Sequence, residues 1–144
     1  GKNVVVSGAG TIGNLVAQFA KVRGAKKVLI TDISDSRLAI ARQCGIDNIL
    51  NVMKMPFEEG IREIFGGEGF QIGLEAAGVQ SSLDVLMANV EKGGDVVIIG
   101  VSYVVQDYIM IIMVIMSIIG QDQGQVHIQI IVGEVLTILN RILS

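Results

Sequence analysis

Residues 3–32 read NVVVSGAGTIGNLVAQFAKVRGAKKVLITD, and this stretch decides the fold. Residues 3–7 form a short run of valines closed by Gly8, the pattern of a buried strand. Ile12, Leu15, Val16 and Phe19 then recur at helical spacing and predict one apolar face of a helix. Gly24 stops that helix. Residues 27–31 predict a second strand, closed by Asp32.

The turn between strand and helix is Gly8-Ala9-Gly10-Thr11-Ile12-Gly13, a G-x-G-x-x-G pattern. Alone it is a weak signal; between a buried strand and an amphipathic helix it points to a dinucleotide. Gly8 permits the tight turn. Gly10 lets the backbone approach a pyrophosphate, and Gly13 lets the helix pack closely on the sheet. The helix start at Thr11 and Ile12 offers unpaired N–H groups and a partial positive charge to phosphate. Asp32 follows Gly13 by 19 residues, at the carboxyl end of the second strand. There a carboxylate can accept hydrogen bonds from the adenosine ribose. A 2′-phosphate would meet like charge, which favours NAD(H) over NADP(H). A ligand-free glycine turn and a strand-ending aspartate are the plain alternatives.

Strand and helix patterns go on alternating. Ser34 can cap a helix running to Cys44, with Leu38 and Ala41 inward, and Gly45 ends it. Residues 46–52 predict a third strand. Pro56 begins a helix whose apolar face is Phe57, Ile61, Ile64 and Phe65. Residues 70–75 predict a fourth strand. Ser81 or Ser82 caps a helix carrying Leu83, Leu86, Met87 and Val90, and residues 96–99 form a fifth strand after Gly93-Gly94. Beyond Gly100 the pattern predicts a sixth strand near 115–119, a loop at 121–125 and a closing helix over 132–143. Such alternation implies one domain of the α/β class: a doubly wound parallel sheet, the Rossmann fold, with about six strands and helices on both faces.

Ligands of such sheets lie outside the carboxyl ends of the strands. Ala76, Ala77 and Gly78 follow the fourth strand, and their small side chains leave room for a nicotinamide ribose. Ile99, Gly100 and Val101 follow the fifth. Arg37 either lies over the adenine or ribose or is a solvated first-turn residue. Glu75 reads more simply as a strand-end carboxylate in water. A zinc site needs three or four ligands. Cys44 and His127 share no metal motif; a small packed thiol and a partly exposed structural histidine are the plainer readings.

The chain has 144 residues, of which 51% are apolar, so one sizeable core can form. A net charge of −3 gives no electrostatic footprint for nucleic acid. One cysteine excludes an internal disulfide and suits the cytoplasm. No cationic, apolar, small-residue pattern marks a signal peptide in these residues, and the start at Gly1-Lys2 leads one to expect an excised or processed piece. The apolar block at 109–119 is too short for a membrane span. It is expected to be covered by a second subunit, giving a homodimer, or else to be a buried core strand.

Residues 4–13, 27–32, 37–41 with Gly45, 70–78 and 93–100 resemble medium-chain dehydrogenases. The branch they look most like is the sorbitol and threonine dehydrogenases among the zinc-dependent alcohol dehydrogenases. The resemblance covers residues 1–101, and Ser117-Ile118-Ile119-Gly120 is similar to the family's sixth-strand region; the remaining tail departs from it. The resemblance implies a two-domain enzyme. A GroES-like domain carries a catalytic zinc, and the Rossmann domain presents NAD for hydride transfer to or from an alcohol or polyol. This chain resembles the cofactor half without the catalytic half, so it is expected to bind NAD and to catalyse nothing alone. Two alternatives are a stand-alone nucleotide sensor, like the regulatory domains of potassium transporters, and an S-adenosylmethionine-dependent methyltransferase.

Overall fold

The structure, a computed structural model, describes residues 1–100 and 127–130. Its elements alternate: β1 (Asn3–Ser7), α1 (Thr11–Val22), β2 (Lys27–Asp32), α2 (Asp35–Gln43), β3 (Asn48–Asn51), α3 (Phe57–Phe65), β4 (Ile72–Glu75), α4 (Gln80–Asn89), β5 (Asp95–Ile98) and β6 (His127–Ile130). The six strands form one sheet in the order β3-β2-β1-β4-β5-β6, and every pair is parallel. This is the doubly wound order, with its switch point between β1 and β4. Ser7 pairs with Thr31 on one side and Glu75 on the other, so the carboxyl end of β1 lies at the centre of the sheet's edge.

Period-two alternation sorts the strand side chains into two cores. Val4 and Val6 join Ile30, Leu38 and Ala41 on the face covered by α1 and α2. Val5 joins Leu29, Phe57, Phe70 and Leu83 on the face covered by α3 and α4. Phe57 meets Phe70 edge to face, with ring centroids 6.1 Å apart. All five β1 residues are buried, as expected of a central parallel strand.

The apolar face expected on α1 is not its core face. Ile12 is 54% exposed, Leu15 58% and Phe19 66%, and only Val16 of that set packs partly against the core. The buried side is Gly13, Asn14 and Ala17. The reason is steric. The amino end of α1 lies so close to the β1 turn that a Cβ on Gly13 would overlap the Gly8 carbonyl oxygen. Only small side chains fit such an approach, and the bulky apolar ones turn outward. The serines of α4 also differ from expectation. The helix starts at Gln80 after Val79, with no side-chain cap, and Ser82 points back to Glu75 and to the Val79 carbonyl. Ser34 does cap α2, accepting from the Arg37 N–H.

The third and fourth strands are shorter than the apolar runs that announce them, and the fifth begins one residue earlier, at Asp95. The sixth place in the sheet is taken by His127–Ile130, with His127 in register with Asp95. The strand expected near 115–119, the loop at 121–125, the helix expected over 132–143 and the apolar block at 109–119 lie outside the described residues.

Gly13→Ala is expected to cost about 3 kcal/mol, because a methyl group must be forced against fixed backbone. Leu15→Gln, two positions on but exposed, is expected to change stability by less than about 0.5 kcal/mol. Urea denaturation of both variants checks the pair; equal effects would contradict the close approach of α1.

Candidate functional site

The site is built where β1 hands the chain to α1. Gly8 leaves the strand at φ +102°, a conformation that favours glycine, while its N–H still bonds to the Thr31 carbonyl at 2.8 Å. A Cβ here would also stand 2.7 Å from the Ala77 nitrogen, so the turns after β1 and β4 touch backbone to backbone. Gly10 is the N-cap of α1, and no side chain caps the helix. The first-turn N–H groups, at Thr11, Ile12 and Gly13, have no acceptor within the helix. A Cβ on Gly10 would meet nothing within 4 Å. The three glycines thus divide as predicted: two are needed by packing, and the third faces open space beside a positive helix end.

Asp32 is buried and already engaged. Its Oδ2 accepts the Ala9 N–H at 2.8 Å, and its Oδ1 accepts the Ser34 N–H at 2.8 Å. Arg37 Nη1 lies 3.9 Å from Oδ2, at the outer side of the carboxylate. A carboxylate has about four acceptor sites, so it can hold these turns and still receive ribose hydroxyls. Holding these two turns is a job of Asp32 that the sequence did not reveal.

Glu75 is the counterpart at the end of β4, and it is not in water. It is completely buried. Its Oε1 accepts the Ala77 and Gly78 N–H groups, each at 2.9 Å, and the Ser82 hydroxyl at 2.5 Å. Among the described residues its Oε2 has no hydrogen-bond partner. The Glu75 carbonyl in turn accepts the N–H groups of Ile99 and Gly100. Gly78 adopts φ +72°, and a Cβ on Gly100 would collide with Gly78 and stand 2.8 Å from Oε2. The turns after β4 and β5 thus meet glycine to glycine above a buried carboxylate.

A cavity of about 490 Å³ opens at this edge of the sheet. Of the residues expected to bind a ligand, Gly8, Gly10, Asp32, Arg37, Ala76 and Ala77 line it. Thr11 and Ile12 form the adjoining helix start, with Gly13 packed behind them, and Gly78, Ile99 and Gly100 form the seam beyond. Val101 lies outside the described residues. The sequence reading missed the wall beyond Asp32, which consists of Ile33, Val52, Phe57, Glu58 and Val85. A signal was available: Ile33 and Val52 each directly follow a strand, at the carboxyl edge where ligands of this fold sit. Beside this wall, the Lys54 ammonium bonds to Asp35 at 2.5 Å and holds its carboxyl below the usual range, with help from Asn51.

Among the described residues no three His, Cys, Asp or Glu side chains converge on a metal-sized site. Cys44 is exposed at the end of α2 rather than packed, with Asn14 Nδ2 3.7 Å from its sulfur. Also among the described residues, no helix is long and apolar enough to cross a membrane.

Comparison with known proteins fits this geometry. The family described as zinc-binding dehydrogenase matches residues 11–127. The L-threonine 3-dehydrogenase of Pseudoalteromonas translucida is 40% identical over 101 residues, which is 70% of this chain and 30% of that protein. That of Vibrio atlanticus is 38% identical over 70% of this chain and 29% of its own length. The alcohol dehydrogenase of Thermus sp. ATN1 superposes with a TM-score of 0.66 at 32% identity, over 71% of this chain and 30% of that one. An alcohol dehydrogenase of Thermotoga maritima gives 0.70 at 26% identity, over 90% and 35%. The chain spans about three tenths of the length of the curated relatives it matches. Neither the nucleotide-sensor reading nor the methyltransferase reading finds support among these relatives. The chain belongs to the zinc-binding dehydrogenase family and corresponds to its Rossmann-fold part.

Proposed function

We propose that the cavity at the carboxyl edge of the sheet binds NAD(H) for an oxidoreductase that moves hydride between an alcohol or polyol and the nicotinamide ring. The observation that carries this reading is the pairing of an open Gly10 at an uncapped helix start with the Asp32 carboxylate in one cavity. Gly10 and the first N–H groups of α1 would receive the pyrophosphate. Asp32 would accept from the adenosine ribose hydroxyls and repel a 2′-phosphate. Ile33, Val52 and Val85 would enclose the adenine. Ala76, Ala77 and Gly78, with Ile99 and Gly100, would lie along the nicotinamide half. Val101 is assigned there by its place after β5. When bound, the dinucleotide supplies the hydride chemistry; the protein's part is to orient it.

The relatives named above are dehydrogenases of threonine and other alcohols, and a substrate with a hydroxyl group to oxidise is the matching class. The described residues offer no set that fits a zinc ion, so no step is assigned to one. This chain by itself is proposed to bind cofactor without turning it over. The lone cysteine agrees with a cytoplasmic setting. The apolar block at 109–119 is proposed to lie in a homodimer contact.

Fluorescence titration tests the site. NADH is expected to bind at least tenfold more tightly than NADPH, and Asp32→Asn to weaken NADH by about 10- to 100-fold, the range for a hydrogen bond to a charged group. Equal NADH affinity in the variant would refute the ribose role. Gly10→Ala is expected to leave the melting temperature unchanged, since nothing lies near its Cβ, while weakening NADH binding. Light scattering is expected to give a dimer at micromolar concentration; a clean monomer would contradict the contact at 109–119.

A further inference from the structure

We propose that Glu58 reads the 6-position of the purine and makes the site selective for adenine. The inference rests on the cofactor reading and extends it from the ribose to the base. Beyond Asp32 the cavity wall is apolar, formed by Ile33, Val52, Phe57 and Val85, which suits the faces of a flat heterocycle. Besides Asp32 and Arg37, one ionisable side chain among the described residues lines the cavity, and it is Glu58, the second residue of α3. It is linked to the neighbouring helix α4. Asn89 Nδ2 on α4 donates to Glu58 Oε1 at 3.3 Å and to the Val85 carbonyl at 2.9 Å. Glu58 and Val85 both line the cavity, so one amide ties α3 to α4 at its wall.

An acid in the first turn of α3 also stabilises the helix dipole, and Glu59 can do the same. That role explains why both are acidic. It does not explain why the one that lines the cavity is bridged to α4. A carboxylate offers about four acceptor sites and no donor, and Asn89 takes one. The amino group of adenine donates and matches it. The 6-oxo group of hypoxanthine or guanine would set an acceptor against an acceptor, leaving both unpaired.

Binding of NADH and of reduced nicotinamide hypoxanthine dinucleotide, measured by fluorescence titration, tests the assignment. The parent chain is expected to favour NADH by about tenfold, a modest ratio because Glu58 is solvated. Glu58→Ala is expected to bring the ratio close to one by weakening NADH. Glu58→Gln, whose amide can donate or accept, is expected to bring it close to one by strengthening the hypoxanthine dinucleotide. Melting temperatures near that of the parent would show that both variants fold. A parent ratio near one, or a ratio unchanged in Glu58→Ala while NADH still binds, would overturn the role of Glu58 alone. Failure of the parent to bind either dinucleotide would overturn the cofactor reading, and this assignment with it.

Discussion

Three turns crowd onto the carboxyl end of β1, and the rest of the site depends on that crowding. Gly8 is pressed between the ends of β2 and β4, bonded to the Thr31 carbonyl and stacked on the Ala77 backbone. Gly13 is pressed against Gly8 from the first turn of α1. Glycine is required at both positions for want of space. Gly10, between them, is the one glycine of the three whose missing side chain leaves a void. The void faces the uncapped end of a helix, where N–H groups lack acceptors. Tight packing on either side is what holds that end open.

Two buried carboxylates hold the crowded turns in place. Asp32 ends β2 and accepts from Ala9 and Ser34; Glu75 ends β4 and accepts from Ala77 and Gly78. Each stands at the end of a strand beside β1 and binds backbone N–H groups of the turns that frame the cavity. A buried carboxylate is tolerable only when hydrogen-bonded, and here the donors are the backbone amides that a ligand site needs rigid. The two differ in what remains. Asp32 is met by Arg37 at the cavity, whereas Glu75 has one oxygen with no partner among the described residues, under the Gly78–Gly100 seam.

Much of this was legible in the sequence because it rests on local rules. Glycines at fixed offsets, a strand-closing aspartate and alternating periodicities depend on near neighbours, and β1, β2, α2 and α3 followed them. Misreadings came where distant segments decide. The apolar residues of α1 face outward because the turn at Gly8 excludes bulk, and spacing along one helix cannot show that. Glu75 is buried because the turns after β4 and β5 and Ser82 of α4 close over it. Glu58 enters the cavity only because α3 and α4 stand on the same face of the sheet. The sequence places a sixth strand near 115–119, outside the described residues, whereas the strand seen beside β5 is His127–Ile130, in a tail whose apolar residues run on without clear periodicity.

The central claim is that the dinucleotide lies across the carboxyl edge of the sheet, with phosphate at Gly10 and ribose at Asp32. Amide chemical shifts followed by NMR during an NADH titration test it most directly. The largest shifts should fall on Ala9, Gly10, Thr11, Ser34 and Ala77. A second cavity of about 530 Å³ lies beside Val16, Phe19 and Leu74 and makes a natural control. Shifts confined to that groove, with Gly10 and Ser34 unmoved, would contradict the claim.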